Sequence, residues 1–227
     1  VSDDRVIASL GAGPQRRLLA LARQTIEPYA RRHGYDLRLH SEVVDSSRPA
    51  PWSKIKILRD LVERYELVVW LDADLVIVDA RVDLASELEE GKLLYLVEHR
   101  GRDWQMPNTG VMMLRGGAEA AAFLDAVWEL RQHVNHRWWE NAAVCELLGY
   151  QLDPPLPARA TPTFERTKFI SQSWNSIVPP GWAAIATAAL QPARIRHFPG
   201  YSLRTRTAMM IAATAEAKVR SVAQHAR

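Results

Sequence analysis

Cysteine is almost missing from this chain. Cys145 stands alone in 227 residues, which excludes an intrachain disulfide. It lies in the apolar stretch Val144-Cys145-Glu146-Leu147-Leu148, where a buried, inert thiol is expected. No apolar run reaches the roughly 18 residues of a membrane-spanning helix, and no signal-peptide pattern is present. Asn108, Asn135, Asn141 and Asn175 are all followed by residues that rule out N-glycosylation. These absences lead us to expect a cytoplasmic protein without an integral membrane segment; a chain trimmed of an N-terminal anchor fits nearly as well. No basic run is long enough for a nucleic-acid-binding tail, and the net charge is only +3. Repeats and linkers are also lacking, so a single domain over 1–227 is expected.

What is present is an ordinary globular composition, 48% apolar and 24% charged, which excludes a disordered chain and allows a sizeable core. Arginine outnumbers lysine, and Arg194, Arg196, Arg204 and Arg206 cluster near the C-terminus. They form either a solvated face or a phosphate-neutralising group, for which guanidinium geometry is well suited.

The centre of the sequence is Asp72-Ala73-Asp74, between the apolar runs Leu67–Leu71 and Leu75–Val78. Such runs read as strands buried on both faces of a central sheet. Two carboxylates between them are costly to bury unless they share a cation. Residues at i and i+2 on a strand face opposite ways, so the chain must turn at small Ala73 for both acids to hold one ion. The alternatives are a divalent-metal site for a diphosphate and a solvated turn.

Upstream, Val6–Leu10 reads as a strand, Gln15 to Arg32 as a helix kinked or broken at Pro28 and stopped by Gly34, and Asp36–His40 as a second strand. This order opens a parallel α/β sheet. Gly11-Ala12-Gly13 lacks the third glycine of a dinucleotide fingerprint, since Arg16 stands there, which argues against a nicotinamide site. A turn passing near a base or ribose stays open. Trp52-Ser53-Lys54 begins a helix with apolar residues through Tyr65; Lys54 is either a surface charge or a phosphate contact aided by the helix N-terminus.

Downstream, Arg100 to Pro107 reads as an irregular excursion, and Asn108-Thr109-Gly110 as a polar entrance to the strand Val111–Leu114. That triplet is either a turn or a set of donors for a hydroxylated ligand. His133 and His136 are expected to be solvated or to cap a helix end. Trp138-Trp139-Glu140-Asn141 opens a helix through Leu148; the acid and amide suit sugar hydroxyls, while the tryptophans could be core. The four-proline stretch Tyr150–Pro162 reads as a structured loop or crossover, Ile195–Gly200 as a short strand ending in a turn, and about 207–227 as an Ala-rich helix.

Six separated pieces, in order, resemble one family. They are Trp52-Ser53-Lys54, Trp70-Leu71-Asp72-Ala73-Asp74, Asn108-Thr109-Gly110, Trp138-Trp139-Glu140-Asn141, Trp174-Asn175 and His197-Phe198-Pro199-Gly200. Together they resemble the retaining GT-A-fold glycosyltransferases that include fungal galactosyl- and mannosyltransferases and plant xyloglucan xylosyltransferases (glycosyltransferase family 34). The resemblance spans about residues 5 to 200 and implies an α/β GT-A fold: a mainly parallel sheet flanked by helices, with a Rossmann-like nucleotide-binding half.

It further implies metal-dependent transfer of a hexose or pentose from a UDP- or GDP-sugar to a hydroxyl of a small-molecule or glycan acceptor, with retention. Asp72, Asp74 and His197 would hold Mn²⁺ or Mg²⁺. Leu10, Gly11, Lys54, Asp72, Ala73, Asn108, Thr109, Gly110, Gly200 and Arg204 would bind the donor. Glu140 and Asn141 would be catalytic, positioning reactants for front-face attack. Relatives often have a lysine after the His-x-x-Gly turn, where this chain has Leu203-Arg204-Thr205-Arg206. Two other readings stand beside this one. A haloacid-dehalogenase-type phosphatase would use Asp72-Ala73-Asp74-Leu75-Val76 but needs a downstream acidic pair. A non-catalytic nucleotide-sugar-binding protein would keep the pocket alone.

Overall fold

In the computed structural model, which describes residues 4–178 and 192–225, the first strand is β1 (Arg5–Leu10). Helix α1 (Arg16–His33) follows a short 3-10 turn over Gly13–Gln15. It runs through Pro28 without ending, because Ile26, Tyr29 and Ala30 stay buried around the proline, and this packing offsets the lost backbone hydrogen bond. Gly34 ends it in the left-handed region (φ 69°, ψ 43°). Strand β2 (Asp36–His40) follows, then α2 (Ser53–Leu61). The latter stops before Tyr65, because the Gly116 and Gly117 backbones take over its end: their N–H groups donate to Glu66 O and Val62 O at 2.8 and 2.7 Å. A Cβ on Gly116 would lie 1.8 Å from Tyr65 O.

Strand β3 (Leu67–Leu71) is buried throughout, and β4 (Leu75–Ile77) follows after the acidic turn. The expected irregular excursion is instead a hairpin: β5 (Leu94–Arg100) turns at 101–104 into β6 (Gln105–Arg115). Asn108-Thr109-Gly110 therefore lies inside a long strand and not at its entrance. Helices α3 (Ala118–Glu129) and α4 (Glu140–Leu147) come next. The proline-rich stretch contains a small hairpin, β7 (Tyr150–Leu152) with β8 (Pro155–Pro157), and the short α5 (Pro162–Glu165). Then come β9 (Thr167–Ile170), β10 (Ser176–Ile177), β11 (Ile195–His197) and α6 (Leu203–His225). Helix α6 begins about one turn before the expected position, so Arg204 and Arg206 are helical.

The main sheet has the order β2-β1-β3-β6-β5-β9. Strands β2, β1 and β3 run parallel, as do β5 and β9, while β6 opposes both its neighbours. Period-two alternation sends Val69 and Leu71 into a core beneath α1 and α6, and Val68 and Trp70 into one beneath α2, α3 and α4. β4 does not continue this sheet. It pairs antiparallel with β11, which pairs parallel with β10, so a strand from late in the chain is laid beside the acidic turn. His133 is buried and bonded to Glu146, correcting the solvated expectation. Cys145 is buried as expected, and burial pushes its thiol up.

Candidate active site

The turn Asp72–Asp74 lies where parallel strand β3 ends, the edge at which open α/β sheets gather their ligand groups. Each acid is held from behind. Asp72 Oδ1 accepts from Trp70 Nε1 at 2.6 Å and pairs with Lys54 Nζ at 3.0 Å, leaving Oδ2 toward His197 Nε2 at 3.8 Å. Asp74 Oδ1 lies 3.2 Å from the same nitrogen. Register places His197 opposite Leu75 across the β11–β4 pair, so strand pairing delivers the imidazole to the acids.

The ring is fixed from its other side. His197 Nδ1 meets Asn175 Oδ1 at 2.9 Å, and Asn175 Nδ2 donates to Asn108 Oδ1 at 2.9 Å. Asn108 Oδ1 also accepts Gly110 N–H at 2.9 Å. A carbonyl oxygen at Nδ1 calls for the N–H there, which aims Nε2 at the carboxylates and makes it the atom available to a cation. Gly110 is glycine because the ring lies against it: an added Cβ would be 2.2 Å from His197 Cε1.

One ligand atom from each of Asp72, Asp74 and His197 falls within 4.8 Å of the others. Two carboxylate oxygens and one imidazole nitrogen are the donor set of a hard or borderline divalent ion, and neighbouring ligands of such an ion sit about 3 Å apart. The residues fit the metal that the sequence resemblance implies. Arg206 Nη1 also reaches Asp74 Oδ2 at 2.9 Å. Burial alone would raise the Asp74 carboxyl, but His197 and Arg206 outweigh it and hold it well below the usual range. Among the described residues this cluster contains a histidine and not the acidic pair that a phosphatase needs.

Lys54 is neither a surface charge nor free for a phosphate. It is buried, and its ammonium contacts Glu140 Oε1 at 2.8 Å, Asp72 Oδ1 at 3.0 Å and Thr109 O at 3.2 Å. Burial would lower it, yet Asp72 and Glu140 together hold it above its ordinary range. Glu140 is raised, first by burial, with Lys54 opposing and Asp72 reinforcing. Its Oε2 is buried without a partner. Asn141 ties α4 to β6: Oδ1 accepts Thr109 N–H at 2.8 Å and Nδ2 donates to Pro107 O at 3.2 Å. The amide is thus engaged with backbone at both ends. The β5–β6 register slips between Leu96 and Val97, which sets Thr109 and Gly110 apart from regular pairing.

These groups line one cavity of about 820 Å³, which also reaches Leu10, Ala73 and Gly200. Gly200 holds φ 78° there. Gly11 does not line it. That glycine is required locally, since a Cβ would lie 2.5 Å from Leu19 Cβ, and Ala12 and Gln15 face the cavity instead. Arg204 is exposed and off the wall, whereas Arg206, two residues on, lines it. Helical phase marks the difference, because Arg206 shares a face with buried Met210 and Ala213, whereas Arg204 precedes exposed Ala208 and Ile211.

The galactosyl transferase GMA12/MNN10 family matches residues 14–97. A probable glycosyltransferase 4 from Oryza sativa subsp. indica is 32% identical over 85 residues, covering 33% of this chain and 18% of the relative. The chain thus spans under a fifth of that relative's length. Similar solved structures cover far more. A glycosyltransferase involved in glycosylation of the major capsid of PBCV-1 has a TM-score of 0.68 at 20% identity, over 91% of this chain and 99% of the other. The galactosyltransferase LgtC has a TM-score of 0.56 at 9% identity, over 92% and 96%. GlyE of Streptococcus pneumoniae has 0.58 at 14%, over 96% and 64%. Chain order and sheet topology thus give this chain the GT-A fold of these solved glycosyltransferases, and its segment 14–97 is similar to the galactosyl transferase GMA12/MNN10 family.

Proposed function

We propose that this chain transfers a hexose or pentose from a UDP- or GDP-sugar to an acceptor hydroxyl, with retention of configuration. The observation that carries the reading is the meeting of Asp72 Oδ2, Asp74 Oδ1 and His197 Nε2 beside a buried Lys54–Glu140 pair at the strand ends. A divalent cation on those three atoms would offset the charge developing on the departing nucleoside diphosphate. Arg206, on the same wall, adds a guanidinium able to take a phosphate oxygen. The Leu10–Ala12 side receives the base. Asn108 and Thr109 orient the donor sugar, and Glu140 presents the otherwise unpartnered Oε2 to one of its hydroxyls.

Asn141 is a positioning residue in this account, its amide being tied to the β6 backbone. Retention follows from front-face attack. The acceptor oxygen bonds to the anomeric carbon as the bond to the phosphate oxygen breaks, and the hydroxyl proton passes to that departing oxygen. Lys54 keeps Asp72 and Glu140 in register throughout.

The test is nucleoside diphosphate release from a panel of UDP- and GDP-sugars with Mn²⁺. Wild type should release it slowly without acceptor, and Asp74→Asn and His197→Ala should each lose metal-dependent turnover by at least about 100-fold while retaining a cooperative thermal transition. Full activity in either variant removes that residue from the metal site. Release of inorganic phosphate would favour phosphatase chemistry, and no release at all a binding protein.

A further inference from the structure

The cavity continues past the residues assigned to the donor, to the tip of the β5–β6 hairpin and the residues just before α4. Sheet order places β1 on one side of β3 and the β5–β6 pair on the other. With the base toward Leu10 and Ala12, the diphosphate falls at the β3 turn and the donor sugar at Asn108, Thr109 and Glu140, which leaves the hairpin tip around Trp104 and the residue before α4, Trp139, for a second substrate. Two tryptophans stand there, Trp104 at 39% and Trp139 at 42% exposure, and both line the cavity. They are the only aromatics among the exposed large apolar residues described.

One has an unusual backbone and the other a closely held ring. Trp139 has φ 46°, the one non-glycine residue at positive φ among those described, a strained conformation typical of functional sites. Trp104 lies so closely on Gly101 that an added Cβ would be 2.0 Å from its Nε1. The hairpin beneath it is braced: Gly101 N donates to Trp104 O at 2.8 Å, and Gln105 Nε2 and Arg100 Nη2 reach Glu98 at 2.8 and 2.9 Å. Tyr150 Oη donates to the same carboxylate. In the same cavity His99 keeps a buried Nε2 with no partner, a deficit that a bound hydroxyl would remove.

We propose that Trp104 and Trp139 form the acceptor subsite, an aromatic platform for a pyranose ring of a glycoside or glycan, with His99 reading one of its hydroxyls. The apolar C–H face of a pyranose packs on an indole face, and a fixed ring loses little entropy on binding. This inference rests on the glycosyltransferase reading and names its second substrate class.

The test titrates the protein with methyl α- and β-pyranosides of glucose, galactose, mannose and xylose, in the presence of Mn²⁺ and either UDP or GDP, following tryptophan fluorescence and heat. At least one glycoside should bind wild type in the millimolar range. Trp104→Ala and Trp139→Ala should weaken it by about tenfold or more, and Trp104→Phe should retain most of the affinity. His99→Leu should weaken binding without lowering the melting temperature, because leucine removes an unpartnered polar atom, whereas His99→Gln should retain more affinity. If no glycoside binds wild type at tens of millimolar, or if the alanine variants bind as tightly, the subsite is wrong. Nucleoside diphosphate binding to wild type, measured in parallel, reports on the donor reading separately. Its loss with glycoside binding intact would sink that reading and leave the platform standing.

Discussion

Lys54 is one cation shared by two acids, Glu140 and Asp72, with no water-facing outlet for its charge. Removing one partner of such a group is more damaging than the pair's own net contribution, because the remaining charges stay buried. Lys54→Met should therefore destabilise the fold by about 3–5 kcal/mol in urea unfolding. Lys54→Met combined with Glu140→Gln should recover part of that loss through their coupling. Strictly additive losses would show that the three groups do not act as a unit. His99 gives a second prediction. Burial, aided by the charge of His197, pushes its imidazole down to about 4, against about 6.5 in an unfolded chain. Between those values the unfolded state binds more protons. The stability from the neutral ring is thus fully present above about pH 6.5 and lost as pH falls through about 4, a change on the order of 3 kcal/mol. His99→Leu should lose less stability than wild type between neutral pH and about pH 4.5. Parallel losses would contradict the assignment.

At the scale of elements, the site depends on how β6 and β11 approach each other. Gly110 allows His197 to sit against the bulged strand. Gly110→Ala must displace the ring, and altered support of a metal-binding histidine typically weakens affinity by about 10–100-fold. Mn²⁺ titration of that variant should show such a loss with the melting temperature little changed; unchanged affinity would mean the ring is not a ligand. The same elements show what could be read in advance. The acidic turn was legible because apolar runs flank it on both sides. The partnership of β4 with β11 was not, since a three-residue strand carries no local signal for a partner more than 100 residues away. The β5–β6 hairpin was obscured by Pro107 within β6 and by the polar turn before it. Arg206 was named in the arginine cluster but passed over for Arg204, because Leu203-Arg204-Thr205-Arg206 reads as a polar continuation of the Gly200 turn, whereas it is the first turn of α6. Lys54 was placed correctly at a helix start, but its burial comes from Glu140, far along the chain. Gly11 looked like a pocket residue; its lack of a side chain is required by packing against Leu19, while Leu10 and Ala12 on either side of it line the cavity.

For the whole molecule, two cores flank a sheet whose mixed order brings β3, β6, α4 and the late strand β11 to one edge. Among the described residues no helix is long and apolar enough to cross a membrane. Function at this scale is assembly: in the proposed reaction a cation, a donor and an acceptor would converge on a cavity whose walls come from distant parts of the chain. A matching nucleotide sugar with Mn²⁺ should raise the melting temperature by mass action, a stabilisation of about 2.7 kcal/mol at a hundredfold excess over Kd. A panel of UDP- and GDP-sugars that shifts nothing would count against the donor class. The central claim is that one divalent ion is held jointly by the β3 turn and His197. Electron paramagnetic resonance of Mn²⁺ titrated into wild type, Asp74→Asn and His197→Ala in the presence of UDP or GDP tests it most directly. One bound ion per wild-type chain, weakened at least about tenfold in both variants, is the predicted result; equal binding by all three proteins would contradict it.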